Sequence, residues 1–488
     1  MVRRRPGTRR HRRSLCRDPI ERVGVLRLAL PAALTLWFLW KSRSNPMFLM
    51  GIPVLMVTGG SLFFQKMAVF WKPGRLSGAE LVMCWLVVAW VFSVVRRPKV
   101  EGEPVGPFGQ SRVLPEELLL VGLAALIALH TWEAFGATGD LAHAVHLASS
   151  TSFLAIGYLL VRGIACRATR EETQEFLGAV VIANTIACGL YFLDQGLHLH
   201  IYTGIANITY AYAGQVISRF DVFAPALNLL ALGFVLAKRR WTAGWVVVLV
   251  VTLLAILVSL TRTMVVAAAV GLVASIVARE LTRPDLRRVV RRVSAIFLGG
   301  AVVVIGFSRL VPAYWAFLLK RLGEFTTAGT GGTQVQNWQV RVIHWDMTRL
   351  VVAKGDLLFG LGFLHPGTLT VNGDFVHWTS DMTWLSILYY FGYVGLAVFG
   401  LLVACFMVRA LRLSLLLPEL RRELALTYFV TLALMVIMTF QDWTFMDPNA
   451  YPLGLWILAL VAAETLRPSE DAVIDDRVLT TAKTIEVT

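Results

Sequence analysis

Three motifs follow one another between residues 337 and 396: NWQVRVIHWDMTRL (337–350), LLFGLGF (357–363) and LSILYYFGYVGL (385–396). Between the second and the third lies a polar connection that holds His365, His377 and Asp381. Most of the chain outside this stretch is apolar enough to lie in a bilayer. The stretch therefore decides the fold, because it predicts a large water-exposed segment inside a membrane-embedded chain.

The first motif predicts an amphipathic helix over residues 337–354, since its apolar residues recur near a helical period. Arg341, Trp345 and Arg349 then share one face of this helix. Guanidinium groups offer forked donors that match phosphate oxygens, and an aromatic ring packs against an apolar or sugar neighbour. The face suits binding of an anionic substrate, and a helix lying on lipid headgroups is the alternative.

The composition places the whole chain in the membrane class. The mean hydropathy is +0.66, and only 16% of the residues are charged. A membrane-spanning helix needs about 20 apolar residues. Twelve segments qualify as spans, and they cover residues 46–64, 77–95, 116–131, 145–161, 173–193, 222–237, 241–258, 260–279, 293–312, 383–408, 423–440 and 451–466.

The basic loops predict the orientation, because Lys and Arg are enriched on the cytoplasmic side. If the spans alternate, the basic stretches at 96–99, 162–170, 238–240, 279–292 and 409–422 all fall on that side. Both termini are then cytoplasmic, and the Arg-rich amino terminus is expected to bind anionic lipid rather than nucleic acid. The apolar run 28–40 is too short to span and is interpreted as interfacial or re-entrant.

These assignments predict an all-α integral membrane protein, with about twelve transmembrane helices and one large loop on the outer side between the ninth and tenth spans. The predicted divisions are a basic cytoplasmic tail with an interfacial segment (1–45), spans one to nine (46–312), the outer loop domain (313–382), spans ten to twelve (383–466) and a cytoplasmic tail (467–488).

Arginines are predicted to converge on the outer face of the membrane from separate parts of the chain. Arg262 begins the eighth span in SLTRTMVV, Arg219 precedes the sixth span in ISRFDVFAP, and Arg341 belongs to the predicted helix 337–354, which we call the loop helix. Several arginines around one cavity can neutralise a diphosphate without a metal ion. The alternatives are that Arg262 extends to the lipid interface and that Arg219 pairs with Asp221 on the surface.

His377 and Asp381 are the predicted catalytic residues. Their i, i+4 spacing would place both on one face of a helix. A carboxylate can hold a neutral imidazole that takes a proton from a sugar hydroxyl. Helix capping is the alternative role for Asp381, and His365 is a weaker candidate for the same site. The outer connections show no paired carboxylates, so we expect no metal and no other cofactor.

Together the motifs resemble the O-antigen ligase and polysaccharide polymerase superfamily of bacterial membrane proteins. SLTRTMVVAAAVGLV resembles its Ser-x-x-Arg-Thr span start, RVIHWDMTRLVVAKGDLLFGLGF its Arg and Trp followed by a glycine-rich loop, and DMTWLSILYYFGYVGL its Gly-x-x-Gly span. Two positions depart from the family pattern, because Ala226 follows Pro225 where Asn is usual and Leu357 stands where Pro is common.

The resemblance implies a GT-C-like fold and a metal-independent, inverting glycosyl transfer at the periplasmic face. The donor would be a glycan on undecaprenyl diphosphate, bound by Arg219, Arg262, Arg341 and Arg349, and the acceptor a sugar hydroxyl. The acidic start of SDMTWL and the chain length favour a polymerase of exopolysaccharide or O-antigen repeat units, which could work with a chain-length regulator. The alternatives are an O-antigen ligase that transfers glycan to lipid A core, and a flippase or transporter of lipid-linked oligosaccharide.

Overall fold

A computed structural model describes most of the predicted helical segments. The described residues are 32–52, 78–96, 113–196, 209–212, 215–218, 225–238, 241–258, 262–280, 312–323, 355–363, 370–371, 374–375, 383–416, 419–439 and 452–467, with short helical pieces between 290 and 309 and between 345 and 353.

The described chain is helical, apart from two small antiparallel hairpins. After helical segments at 32–41 and 48–52, the helices are α1 (Gly78–Arg96), α2 (Pro115–Thr138), α3 (Leu141–Ala165), α4 (Arg170–Gly196), α5 (Pro225–Ala237), α6 (Ala243–Val258), α7 (Arg262–Glu280), α8 (Pro312–Gly323), α9 (Thr383–Leu416), α10 (Glu419–Met438) and α11 (Pro452–Leu466). The hairpins pair β1 (Thr209–Tyr212) with β2 (Gln215–Ser218) and β3 (Thr370–Val371) with β4 (Asp374–Phe375).

The helical class predicted from the sequence is confirmed. Among the described residues, three helices are long and apolar enough to cross a membrane: α2, the part of α4 from Arg170 to Leu190, and the part of α9 from Thr383 to Leu415. The other helices from α1 to α11 overlap the segments predicted as spans, apart from α8, which shares only Pro312 with the predicted ninth span and otherwise lies in the predicted loop 313–382. The number of spans and the large periplasmic loop stay predictions, as do the domain boundaries.

Local signals explain where two of the long helices begin. At the start of α4, the Thr169 N–H donates to the Glu172 carboxylate (2.7 Å) and the Glu172 N–H donates to the Thr169 hydroxyl (3.2 Å). This reciprocal pair is a capping box, which satisfies backbone donors that a helix start leaves without partners. At α2, Pro115 opens the helix, and the Glu117 carboxylate accepts from the Leu114 N–H at 2.7 Å.

The helices pack into one bundle around α10, which contacts α5, α7 and α9. A second set joins α2 to α3 and α9, and α3 to α1 and α11. The core contains large aromatic side chains that are almost fully buried, among them Tyr158, Tyr389, Tyr428 and Trp456. The described β-hairpins lie outside this helical core.

One end of the bundle is held by ion pairs, and we call it the ion-pair end. It contains the starts of α2, α4 and α10 and the ends of α3, α5 and α11. The pairs are Glu117–Arg162 (2.9 Å), Glu116–Arg409 (2.8 Å), Arg170–Glu464 (2.7 Å), Glu464–Arg467 (2.8 Å), Lys238–Glu423 (3.2 Å) and Lys41–Glu175 (2.9 Å).

The opposite end, which we call the loop end, contains the starts of α5, α7 and α9 and the ends of α2 and α10. The Thr383 N–H, at the start of α9, donates to the Thr439 carbonyl just after α10 (3.1 Å). Residues 355–363, which include the LLFGLGF motif, pack against α9 and α2 at this end. The fold therefore brings the most distinctive motif to the end that lies away from the ion pairs.

Candidate functional site at the kinked helix

Helix α9 is broken at Gly392, in the FGYVG part of the third motif. Gly392 has φ 61° and ψ −160°, a left-handed conformation that L side chains rarely adopt. The break removes intrahelical hydrogen bonds, and buried backbone groups need other partners. Within a membrane such a break is tolerated where protein covers it.

The 355–363 loop supplies those partners through four backbone hydrogen bonds. The N–H groups of Leu361 and Gly362 donate to the carbonyls of Tyr389 (2.8 Å) and Tyr390 (3.1 Å). In the other direction, the N–H groups of Tyr393 and Val394 donate to the carbonyls of Leu357 (3.2 Å) and Leu358 (3.0 Å). The second motif therefore completes the hydrogen bonding of the third.

Glycines make this close approach possible. A Cβ atom on Gly392 would lie 2.3 Å from the Leu358 carbonyl oxygen, and one on Gly360 would lie 2.5 Å from the Gly392 nitrogen. Gly360 also has a positive φ of 82°. The loop itself is held by Asp356, whose Oδ1 accepts from the Leu358 N–H (2.9 Å) and the Phe359 N–H (3.0 Å). Any side chain on these glycines would separate the loop from α9.

His130 of α2 contacts the same loop and is a residue that the sequence analysis did not predict. Its side chain is 2% exposed, its Nε2 lies 2.8 Å from the Phe359 carbonyl oxygen, and its Nδ1 lies 2.7 Å from Glu133 Oε2. The ring also packs against Phe363 and Phe391. A Cβ on Gly362 would lie 2.7 Å from His130 Nδ1, so this glycine admits the imidazole.

Most of the predicted site residues lie outside the residues that the structure describes. They are Arg219, Arg341, His365, His377 and Asp381. Arg262 is the first residue of α7, and only its backbone is described. Arg349 lies in a helical piece and is exposed. Of these residues the structure thus places the backbone of Arg262 and the whole of Arg349, and their proposed roles stay predictions.

The described pieces of the predicted helix 337–354 are helical and two-faced, but the buried face is not the one that the apolar pattern predicted, because Leu350 of that pattern is 56% exposed. Residues 345–346, 348–350 and 352–353 are helical, Thr348 and Val352 are buried, and Arg349 and Ala353 are exposed. Because buried and exposed positions each recur four residues apart, one face packs inward and the other is open. Trp345 is half-buried beside the exposed face.

The chain segments that carry the other predicted residues adjoin helix starts at the loop end. Strand β2 ends at Ser218, directly before Arg219, and strand β4 ends at Phe375, shortly before His377. Asp381 precedes the start of α9 at Thr383. Since α5, α7 and α9 all pack on α10, the starts of these three helices lie at the same end of the bundle.

An apolar groove opens between α2 and α3 in the half of α2 that also carries His130. Its volume is about 330 Å³, and small residues Ala124, Ala128 and Ala155 form its floor beside Trp132 and Phe135. Trp132 is 70% exposed. Among the described residues, no group of three or more His, Cys, Asp or Glu side chains is arranged to hold a metal ion.

No family model matches the chain, and a search of curated proteins finds no match. The resemblance to the O-antigen ligase and polymerase superfamily therefore depends on the order and spacing of the motifs alone.

Proposed function

We propose that the protein is a glycosyltransferase that moves a glycan from undecaprenyl diphosphate to a sugar hydroxyl at the loop end, and that it polymerises polysaccharide repeat units. In this proposal the loop end faces the periplasm and the ion-pair end faces the cytoplasm of a bacterial inner membrane. The observation that carries the proposal is that α5, α7 and α9 all pack on α10 and all begin at the loop end.

The common location of these helix starts favours a common site for residues that are far apart in the sequence. Arg219 precedes α5, Arg262 begins α7, and His377 and Asp381 precede α9. Arginines can bind both negative charges of a diphosphate through forked hydrogen bonds. Arg341 and Arg349 of the loop helix would close the site from the outer side.

The distribution of buried charge favours chemistry at one face over passage across the membrane. Among the described side chains, the buried acidic and basic ones at the ion-pair end are Glu117, Arg162, Arg170, Lys238 and Glu464, and His130 is buried in the half of α2 toward the loop end. A transporter for a charged lipid headgroup is expected to carry ionisable residues within its spans along the substrate path. Apart from His130, the described part of the bundle concentrates its buried charges at one end instead.

The proposed reaction is a displacement at the anomeric carbon. The acceptor oxygen forms a bond to this carbon while the bond to the diphosphate oxygen breaks, and the electron pair leaves with the diphosphate. His377, supported by Asp381, takes the proton of the acceptor hydroxyl. Arg219, Arg262 and Arg341 stabilise the charge that grows on the leaving group, so no divalent cation is needed.

The described residues would support this chemistry by holding in place the segments that carry the reacting side chains. The four hydrogen bonds between the loop and the Gly392 kink join the segment after the loop helix to the start of α9. Positioning of reacting groups can account for a large share of catalysis. The apolar groove between α2 and α3 would hold the isoprenoid chain of the donor near the same end.

The test is glycan transfer by the purified chain in liposomes that contain an undecaprenyl-diphosphate-linked oligosaccharide. Arg262→Ala should lower transfer by about 100-fold or more, as removal of a transition-state donor does, and Arg262→Lys should restore it only in part. Arg412→Ala is the matched control, because Arg412 is exposed on α9 toward the ion-pair end.

The products distinguish the alternatives. Growing glycan chains on the lipid support a polymerase, and transfer to added lipid A core would indicate a ligase. Movement of unaltered donor across the liposome membrane, without transfer, would indicate a flippase and contradict the proposal. Equal transfer by wild type and Arg262→Ala would show that the donor site lies elsewhere.

A further inference from the structure

The two polar contacts of the His130 ring, to Glu133 and to the loop, need one proton more than a neutral histidine and a carboxylate anion supply if both are hydrogen bonds. His130 Nδ1 lies 2.7 Å from Glu133 Oε2, and His130 Nε2 lies 2.8 Å from the Phe359 carbonyl oxygen. A carbonyl oxygen and an ionised carboxylate can only accept, and a neutral imidazole has a single N–H. Both contacts are hydrogen bonds only if a further proton is present on the ring or on Glu133.

We propose that His130 and Glu133 hold this proton between them and that it fastens the 355–363 loop to α2. His130 is then a positioning residue, which acts on the loop and through the loop on the Gly392 kink. The inference concerns the fold and does not depend on the proposed glycosyl transfer. It gives the loop end an attachment that depends on pH.

The surroundings of His130 single out this pair as its acid–base contact. The described titratable groups on the neighbouring elements are Asp356 of the loop, Tyr389, Tyr390 and Tyr393 of α9 and Tyr158 of α3, besides Cys405, Arg409 and Arg412 of α9 and Arg162 of α3 toward the ion-pair end. Asp356 accepts from two N–H groups of its own loop, and the Tyr390 ring packs against Phe363. Tyr158 donates to Glu117 at the ion-pair end.

Loss of the proton removes one of the two hydrogen bonds. When the pH rises and the pair becomes a neutral imidazole beside a carboxylate, one ring nitrogen presents a lone pair to an oxygen. Glu133 is 45% exposed and can turn to water, but the neutral ring then makes a weaker bond to Phe359 than a charged ring does. The sign is therefore a tighter loop at low pH and a looser loop at high pH.

A single substitution can remove the need for the proton. In Glu133→Gln the side-chain amide donates to a neutral Nδ1, while the Nε2–H still donates to the Phe359 carbonyl. Both hydrogen bonds then survive deprotonation. Because Glu133 is exposed, this variant leaves the buried packing intact, whereas His130→Gln alters a buried position.

The experiment is hydrogen–deuterium exchange of the full chain in lipid nanodiscs, followed by mass spectrometry of peptides that cover 357–363 and 389–394. Exchange is expressed as protection relative to the intrinsic rate at each pH, from about pH 5 to 9, which includes the range of about 5 to 8 in which an unperturbed histidine changes charge. Wild-type protection should fall about ten-fold across this range, which corresponds to the loss of one charge-assisted hydrogen bond.

Three variants complete the test. Glu133→Gln should keep its protection within about two-fold over the same range, and His130→Gln should have low protection that does not vary with pH. The matched control Glu175→Gln, at the ion-pair end, should show the wild-type fall. Constant wild-type protection, or the same fall in Glu133→Gln as in wild type, would overturn the shared proton.

Discussion

The two ends of the bundle are held together by different interactions. At the ion-pair end, charged side chains from α2, α3, α4, α5, α9, α10 and α11 pair with one another, and several are almost fully buried. At the loop end, the described contacts are mainly backbone hydrogen bonds between the 355–363 loop and the kink of α9. Ion pairs between side chains therefore hold the ion-pair end together, whereas backbone hydrogen bonds hold the loop end together.

In our proposal the ion-pair end stabilises the bundle, and the loop end carries the substrate site. Several charged groups at the ion-pair end bind each other, as Glu464 does by accepting from both Arg170 and Arg467. At the loop end, close packing of glycines leaves side chains of the adjoining segments available for a substrate in our proposal. The comparison can be tested by disturbing each end separately.

The largest effect on stability is expected from Glu464→Ala at the ion-pair end. Its carboxylate is 1% exposed, and its removal leaves Arg170 and Arg467 without their shared partner. Breaking a buried ion pair in this way costs about 3–5 kcal/mol. Thermal unfolding in detergent measures the change in the free energy of unfolding.

The matched control for this change is Glu175→Ala. Glu175 pairs with Lys41, but the two side chains are 45% and 30% exposed, so the cost should be about 0–1 kcal/mol. Similar losses for Glu464→Ala and Glu175→Ala would mean that the buried pairs do not hold this end together.

The next largest loss of stability is expected from Gly392→Ala at the loop end. The left-handed backbone disfavours alanine, and the added Cβ would meet the Leu358 carbonyl oxygen at 2.3 Å. Strain and overpacking together should cost about 2–5 kcal/mol. Hydrogen exchange should show that the loss is concentrated in the loop and the first part of α9.

Gly122→Ala provides the control for the glycine substitution. Gly122 lies within α2, and nothing is near enough to contact a new Cβ. Alanine is favoured over glycine inside a helix by about 0.5–1 kcal/mol. The variant should be as stable as wild type or more so. An equal loss at Gly122 and Gly392 would contradict the packing explanation.

Hydropathy was enough to predict most of the described helices, because an apolar run of about 20 residues has few other stable arrangements in a bilayer, but it did not predict α8. For example, the predicted spans 77–95 and 241–258 nearly coincide with α1 and α6. The order of the motifs likewise indicated that LLFGLGF and FGYVG belong to one region. The sequence did not show that the second motif completes the broken hydrogen bonds of the third.

His130 could not be predicted because its partners are remote in sequence or easily overlooked. Phe359 is 229 residues away, and only the folded bundle brings its carbonyl to the ring. The available signal was a histidine within an apolar helix, three residues before Glu133. Such a histidine in a predicted span needs a partner, and this requirement could have directed attention to it.

No effect is expected from removal of divalent cations. The proposed site neutralises the diphosphate with arginines, so transfer should continue unchanged in excess EDTA. Transfer in the liposome assay with and without EDTA measures this. If EDTA abolishes transfer and Mn²⁺ restores it, the arginine site is wrong, and Asp194, Asp221 and Asp374 become candidate ligands.

The central claim is that the ion-pair end and the loop end lie on opposite sides of the membrane. It is tested by labelling single cysteines in a chain whose five native cysteines have been replaced. Leu357→Cys reports the loop end and Arg412→Cys the ion-pair end, and both positions are exposed. We expect an impermeant maleimide to label position 357 in intact spheroplasts and position 412 only after permeabilisation. Labelling of both positions from the same side would contradict the account.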